Sequence, residues 1–137
     1  MERFLGKYSE YLYAIMRIVV GLLFACNGAR KLFGVFGGMG KSGEAAPLFS
    51  LMGIAGSIEF ITGLFIAVGL LTGYAAFIAS GEMAVAYFLG HYPNGFWPIL
   101  NRGERAVFYC FVFLYVASQG AVTWGVDAIL RKPKGSR

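Results

Sequence analysis

Four residues whose side chains belong in water, Arg17, Asn27, Glu59 and Glu82, stand inside runs of apolar residues. In SIEFITGLFIAVGLL, from Ser57 to Leu71, Glu59 is the sole charge, and the next acid along the chain is Glu82 in GEMAVAYF. A carboxylate in an apolar interior can hold the polar head of a ligand, pass a proton, or fix the register of packed helices through a buried pair. A guanidinium or amide beside it supplies the hydrogen-bond donors that each role needs.

Other residue sets support less chemistry. GKS at Gly40 to Ser42 suggests a phosphate loop, but that pattern needs a glycine five positions before Gly40, where Val35 stands, and no predicted strand precedes it. His91 is the single histidine, too little for a metal set. Cys26 and Cys110 form no CxxC pair and read as packing residues rather than a thiol redox centre. With no haem-ligand pair, flavin motif or dinucleotide fingerprint, no cofactor is visible in the chain, and it can hardly carry electrons alone.

The elements that position the polar residues follow from composition. The chain has 137 residues, 58% hydrophobic and only 14% charged, which a soluble domain of this length could not cover with polar surface. Four apolar stretches, about 11–33, 51–71, 73–91 and 104–127, each approach or exceed the roughly 20 helical residues that cross a hydrocarbon core. None alternates with period two, which disfavours barrel strands. Arg17 interrupts the first run and no small-residue cleavage site follows it, so a signal peptide is a poor reading. The expectation is all-α: one domain, a membrane four-helix up-and-down bundle.

Four spans put both termini on one side. The net charge of +5 does not point to nucleic acid; its clearest concentration is the tail RKPKGSR. That side carries Arg3, Lys7, Arg131, Lys132, Lys134 and Arg137, against Arg30, Lys31, Lys41, Arg102 and Arg105 on the other. The compact basic tail tips the balance toward cytoplasmic termini.

At a rise of about 1.5 Å per residue from the terminal side, Arg17 lies roughly 9 Å deep, Glu82 roughly 14 Å, Glu59 roughly 20 Å and Asn27 about 24 Å. This suggests two polar layers, Arg17 with Glu82 and Asn27 with Glu59, and Gln119 on the fourth helix can join the first. Two acids against one buried cation leave a deficit of one positive charge. Either one Glu carries a proton, or Arg30 or Lys31 reaches in from the loop. Gly56, Gly63 and Ala67 near Glu59, and Ala75, Ala79 and Ala86 near Glu82, form small-residue seams that turn both acids into the bundle.

The connections are legible too. GVFGGMGKSGEAAPLF is glycine-rich and reads as irregular structure outside the bilayer. In HYPNGFWPILNRGE, Pro93 and Pro98 stop helices, and Phe96 and Trp97 suit the membrane interface. Asn101 followed by Glu104 fits a variant N-capping box for the last span. His91, Asn101 and Glu104 are alternatively part of a polar site at the bundle mouth.

Taken together, Arg17 with GLLFACNGARKLFG, SIEFITGLFIAVGLLTGYAA around Glu59, GEMAVAYF, then His91, Phe96, Pro98, NRGE, YCFVFLY and Asp127 resemble the DoxX family of small four-helix membrane proteins over nearly the whole chain. The family commonly closes with a glycine-rich turn leading to Trp-Ser-x-Asp. Here GAVTWGVD carries Val122 and Gly125 where glycine and serine are expected. The resemblance implies a multi-pass bundle in the inner membrane of a prokaryote and an association with thiosulfate:quinone oxidoreductase or sulfur-stress complexes.

The leading expectation is a membrane subunit that binds a small amphipathic ligand, quinone or lipid-like, in a pocket lined by Arg17, Asn27, Glu59 and Glu82. Lys31, His91, Asn101, Glu104 and Gln119 stand at its second layer or mouth. Such a subunit supports a partner oxidoreductase without itself being catalytic, in a lipid membrane and with a homo-oligomer compatible. The alternatives are a structural or assembly protein, and a small transporter or proton conductor using Glu59 and Glu82 as relays; the absence of a visible inverted repeat counts against transport.

Overall fold

Long apolar runs with few breakers carry the chain into helix, and glycines in the left-handed region end them. The computed structural model describes residues 1–131. A short helix α1 (Glu2–Leu5) leads through a tight turn into α2 (Ser9–Phe33), which stops at Gly34 with φ +68°. Ser50 caps α3 (Leu51–Val68) by accepting from the Gly53 amide at 3.1 Å, and Gly69 at φ +72° ends it. α4 (Thr72–Ala86) continues through a π-turn, Tyr87–His91. After the proline loop come α5 (Pro98–Asn101), α6 (Glu104–Gln119) and α7 (Val126–Arg131). Among the described residues the only β feature is an isolated bridge between Met39 and Glu44, which folds the glycine-rich loop onto itself. The Ala46 amide then bonds the Lys31 carbonyl at 2.7 Å and fixes that loop to the end of α2.

The fold is therefore all-helical, with two departures from the sequence expectation. The fourth long helix ends at Gln119 rather than near residue 127. Gly120 breaks it, and the backbone then takes positive φ at Val122 and Trp124 before α7 begins. This turn aims the Thr123 and Trp124 carbonyls inward, where Arg17 binds them. The N-terminus of α6 is also built differently: Gly103, not Asn101, is the N-cap, and no side chain caps it.

α2 packs on α3, α3 on α4, and α4 on α6. The α2–α3 seam is made of paired glycines. A Cβ at Gly21 would sit 2.7 Å from the Ala67 nitrogen, one at Gly63 2.5 Å from the Ala25 nitrogen, and one at Gly56 2.7 Å from the Lys31 Cβ. Backbone therefore lies directly on backbone, as small-residue seams permit in lipid. α2 and α6 meet through Phe24 and Phe113, ring centroids 4.7 Å apart, and through the Tyr13 hydroxyl, which donates to the Gly120 carbonyl at 2.7 Å. Phe24, Ile66, Ala75, Ala76, Ala79, Met83, Phe113 and Val116 fill the interior.

Polarity is inverted relative to a soluble bundle. Arg17, Glu59, Thr62 and Ser80 are buried, whereas Val19, Leu22, Ile61, Phe77, Ile78, Val85, Phe108, Phe111 and Leu114 are exposed on the helix exteriors. The helical segments Glu2–Phe33 and Leu51–Val68 are long and apolar enough to cross a membrane.

Candidate functional site

Glu59 is 2% exposed, held on the inner face of α3 by the glycine seam. Its Oε1 accepts from Lys31 Nζ at 2.6 Å, an ion pair between α2 and α3. The pairing follows from side-chain direction. Side chains tilt toward the N-terminus of their own helix. Because α2 and α3 run in opposite directions, the Lys31 stem reaches back into the bundle while Glu59 leans out to meet it. Gly56 makes room for that stem, since its missing Cβ faces the Lys31 Cβ. Lys31, from the end of the first helix, thus reaches in to pair with Glu59, while Glu82 has no ion-pair partner among the described residues.

Glu82, half-buried on α4, lies where the charges of Glu59 and Lys31 both act on it. Oε2 of Glu59 and Oε2 of Glu82 are both buried without a hydrogen-bond partner. Tyr109 on α6 stands beside Asn27 and within the field of Arg105 and Glu59. Arg30 also acts on Glu59, and its own Nε is buried and unpartnered. The result is one polar cluster drawn from α2, α3, α4 and α6. It presents two free carboxylate oxygens beside one ion pair.

Two expected pairs do not form. Arg17 does not meet Glu82: fully buried, it donates through Nη1 to the Ile66 and Ala67 carbonyls at 2.5 and 3.0 Å, and through Nη2 to Thr123 and Trp124 at 3.2 and 2.8 Å. The Arg17 side chain tilts toward the start of α2, away from Glu82, so similar Cα depths do not bring the two together. There it finds the carbonyls at the C-terminal end of α3, which carry the negative end of the helix dipole. Asn27 does not bond Glu59 either; its Nδ2 donates to the Leu23 carbonyl one turn back, at 3.2 Å.

The remaining candidates divide. Gln119 is exposed at the end of α6, bonded to Ser118 at 3.4 Å, and does not join Arg17. Asn101 is buried: its Oδ1 accepts from the Gly103 amide at 2.8 Å, and its Nδ2 donates to the Gly95 carbonyl at 2.7 Å and the Tyr87 hydroxyl at 3.1 Å. His91 Nδ1 lies 3.1 Å from the Asn101 carbonyl, and the Tyr87 hydroxyl donates to the Phe96 carbonyl. This network holds the proline loop in place. Glu104 is exposed and outside it. Among the described residues no group of three potential metal ligands comes together. Cys26 and Cys110 are both free; Cys26 is exposed and Cys110 packs beside Ser80.

Two recesses lie away from the buried acids. One of about 440 Å³, at the end bearing the termini, is lined by Thr72, Tyr74, Gln119, Asp127 and Arg131 among others. The other, about 470 Å³, follows the outer face of α6 from Glu104 to Tyr115. Sequence reasoning missed Tyr109, which carries no spacing signal, and ranked Lys31 only as a peripheral residue. The spacing of Asn27 and Lys31, four residues apart and so on one helix face, is the signal that would have promoted it.

Residues 12–92 match the DoxX family. The chain is also 39% identical over 130 residues to an uncharacterized protein of Haemophilus influenzae, covering 90% of this chain and 93% of that one. No solved structure matches it. The family match holds the Lys31–Glu59 pair and Glu82, and with the near full-length relative it establishes that the chain belongs to the DoxX family.

Proposed function

We propose that this chain is a four-span membrane subunit that binds a small amphipathic ligand, quinone or lipid-like, at the Lys31–Glu59–Glu82 cluster, and that it supports a redox or sulfur-metabolism partner. The observation that carries the reading is the buried ion pair with a second carboxylate beside it, in a bundle whose outer surface is apolar. Ionisable residues at such depth are costly, and where they persist they mark substrate, ion or proton sites by default. Asn27 and Tyr109 add polar groups at the same level. The DoxX resemblance supports the redox partner and the inner membrane. Arg17 belongs to the scaffold in this reading, since its Nη1 and Nη2 groups serve backbone carbonyls.

The topology proposed is multi-pass with cytoplasmic termini. Lys132, Lys134 and Arg137, on which that orientation leans, lie outside the described residues; the same topology assigns Arg131, Arg3 and Lys7 to the cytoplasmic side. A purely structural role is favoured by one observation, the backbone-on-backbone glycine seam, which fixes α2 against α3 without any ligand. Native mass spectrometry of the gently extracted protein separates the two. The binding reading expects a retained amphiphile in the native chain that is lost in Glu59→Gln while the variant stays folded. An unliganded native chain, with Glu59→Gln indistinguishable from it, overturns the reading in favour of the scaffold.

A further inference from the structure

The cluster is unbalanced in a specific way: two buried carboxylate oxygens have no donor, against one buried donor, Arg30 Nε, without an acceptor. Lys31 Nζ is on Glu59 Oε1 at 2.6 Å and Asn27 Nδ2 is on the Leu23 carbonyl. Oε2 of Glu59 and Oε2 of Glu82 remain buried and unpartnered, on two helices, in mutual electrostatic reach. Glu59 is almost fully buried, and a buried carboxylate oxygen without a donor is strongly disfavoured. A group that brings a proton donor to the two acids satisfies one of these oxygens. A carbonyl or ether oxygen adds a further acceptor and relieves neither.

There is also a way in. Glu82 is half-buried, and at Gly81 beside it an added side chain would meet nothing within 4 Å. Ile78 and Val85, one turn to either side, are exposed. The approach to the acids is thus along an apolar helix face.

Resting on the binding reading above, we propose that the ligand's polar head is a hydrogen-bond donor. It is a hydroxyl on an apolar body, entering beside Gly81 and donating its one proton to an unpartnered carboxylate oxygen of the Glu59–Glu82 pair. A methyl ether of the same body keeps the oxygen and its lone pairs, and the donated proton is what separates the two.

The test uses the full chain in detergent and three probes: para-nonylphenol, its methyl ether, and dioctanoylglycerol, whose hydroxyl is aliphatic. Binding is read by native mass spectrometry titration, with thermal unfolding as the control for folding. The phenol is expected to bind about tenfold tighter than its ether, the worth of one hydrogen bond to a charged group. Glu82→Leu should erase that preference, and Glu82→Gln, which keeps an acceptor oxygen and the side-chain shape, should retain part of it. Preference for the phenol over its ether, with dioctanoylglycerol bound tighter still, also supports a donor head and assigns it to a glycerolipid rather than an aromatic ring. Equal binding of phenol and ether by the native chain overturns the donor preference while leaving a ligand site in place. Failure of all three probes to bind a folded native chain overturns the site itself.

Discussion

At the scale of single residues, two buried cations have different tasks. Arg17 gathers four carbonyls from the end of α3 and the turn after α6. Arg17→Met should destabilise the bundle by about 3 kcal/mol or more, because hydrogen bonds from a charged group to otherwise unpaired buried carbonyls are lost. Arg17→Lys should recover little, since an ammonium cannot span two sets of acceptors as the guanidinium fork does. Combining Arg17→Met with Glu82→Met should be additive to within about 0.5 kcal/mol, as expected of residues that share no partner. Detergent-matched unfolding of the four proteins measures this, and a large coupling would restore the Arg17–Glu82 pair. Lys31 and Glu59 should behave in the opposite way. Lys31→Met leaves a buried carboxylate alone and is expected to cost about 3–5 kcal/mol, much of it regained in the Lys31→Met, Glu59→Met double variant. A double variant no more stable than Lys31→Met would show that the pair is not coupled.

Helices and turns carry their own predictions. Gly63 lies against the Ala25 backbone, so Gly63→Val must push α2 and α3 apart; overpacking of this kind costs about 1–3 kcal/mol or more. Val122 sits at φ +59°. A β-branched residue is strained there, and Val122→Gly should raise stability by about 1 kcal/mol in the same unfolding measurement. At Gly125 a Cβ would meet Ala121 Cβ at 2.9 Å and Gly69 Cα at 3.0 Å, so the turn has no room for a side chain there. Asp127, on α7 beyond the last long helix, ties the end of the chain to the start of α4. Its carboxylate accepts from the Leu71 and Thr72 amides at 2.9 and 2.8 Å and from the Thr72 hydroxyl at 2.8 Å. Burial pushes its pKa up, but the Thr72 and Leu71 hydrogen bonds and Arg131 outweigh burial and hold it below the ordinary 3.8. A depressed folded-state value means the stabilisation is full above that ordinary value and is lost as pH falls through the folded one. Asp127→Asn should therefore flatten the acid limb of the stability–pH curve below about 3.8; an unchanged limb would remove Asp127 from this role.

For the whole molecule, several polar groups are buried while much of the helix exterior is apolar. In the proposed orientation the glycine-rich loop faces outward, and exposed Lys41 stands in it. A Lys41→Cys variant, with Cys26 and Cys110 changed to serine, should react with a membrane-impermeant maleimide in intact cells. Reaction only after permeabilisation would invert the topology.

Composition and breaker positions alone determined most of the fold. Apolar runs bounded by Gly34 and Gly69 mark where helices stop, and Pro98 where a short one begins, because those residues dictate backbone conformation without reference to any neighbour. The burial of Glu59 on a small-residue face was legible for the same reason, as helical periodicity is local. The partners were not. Which cation reaches Glu59 depends on helix direction, on the tilt of side chains toward helix N-termini, and on the room left by Gly56, all of which arise only when α2 lies against α3. The early end of α6 is likewise tertiary. Residues 120–125 leave the helix so that their carbonyls meet Arg17, a hundred residues away in sequence but adjacent once the bundle closes.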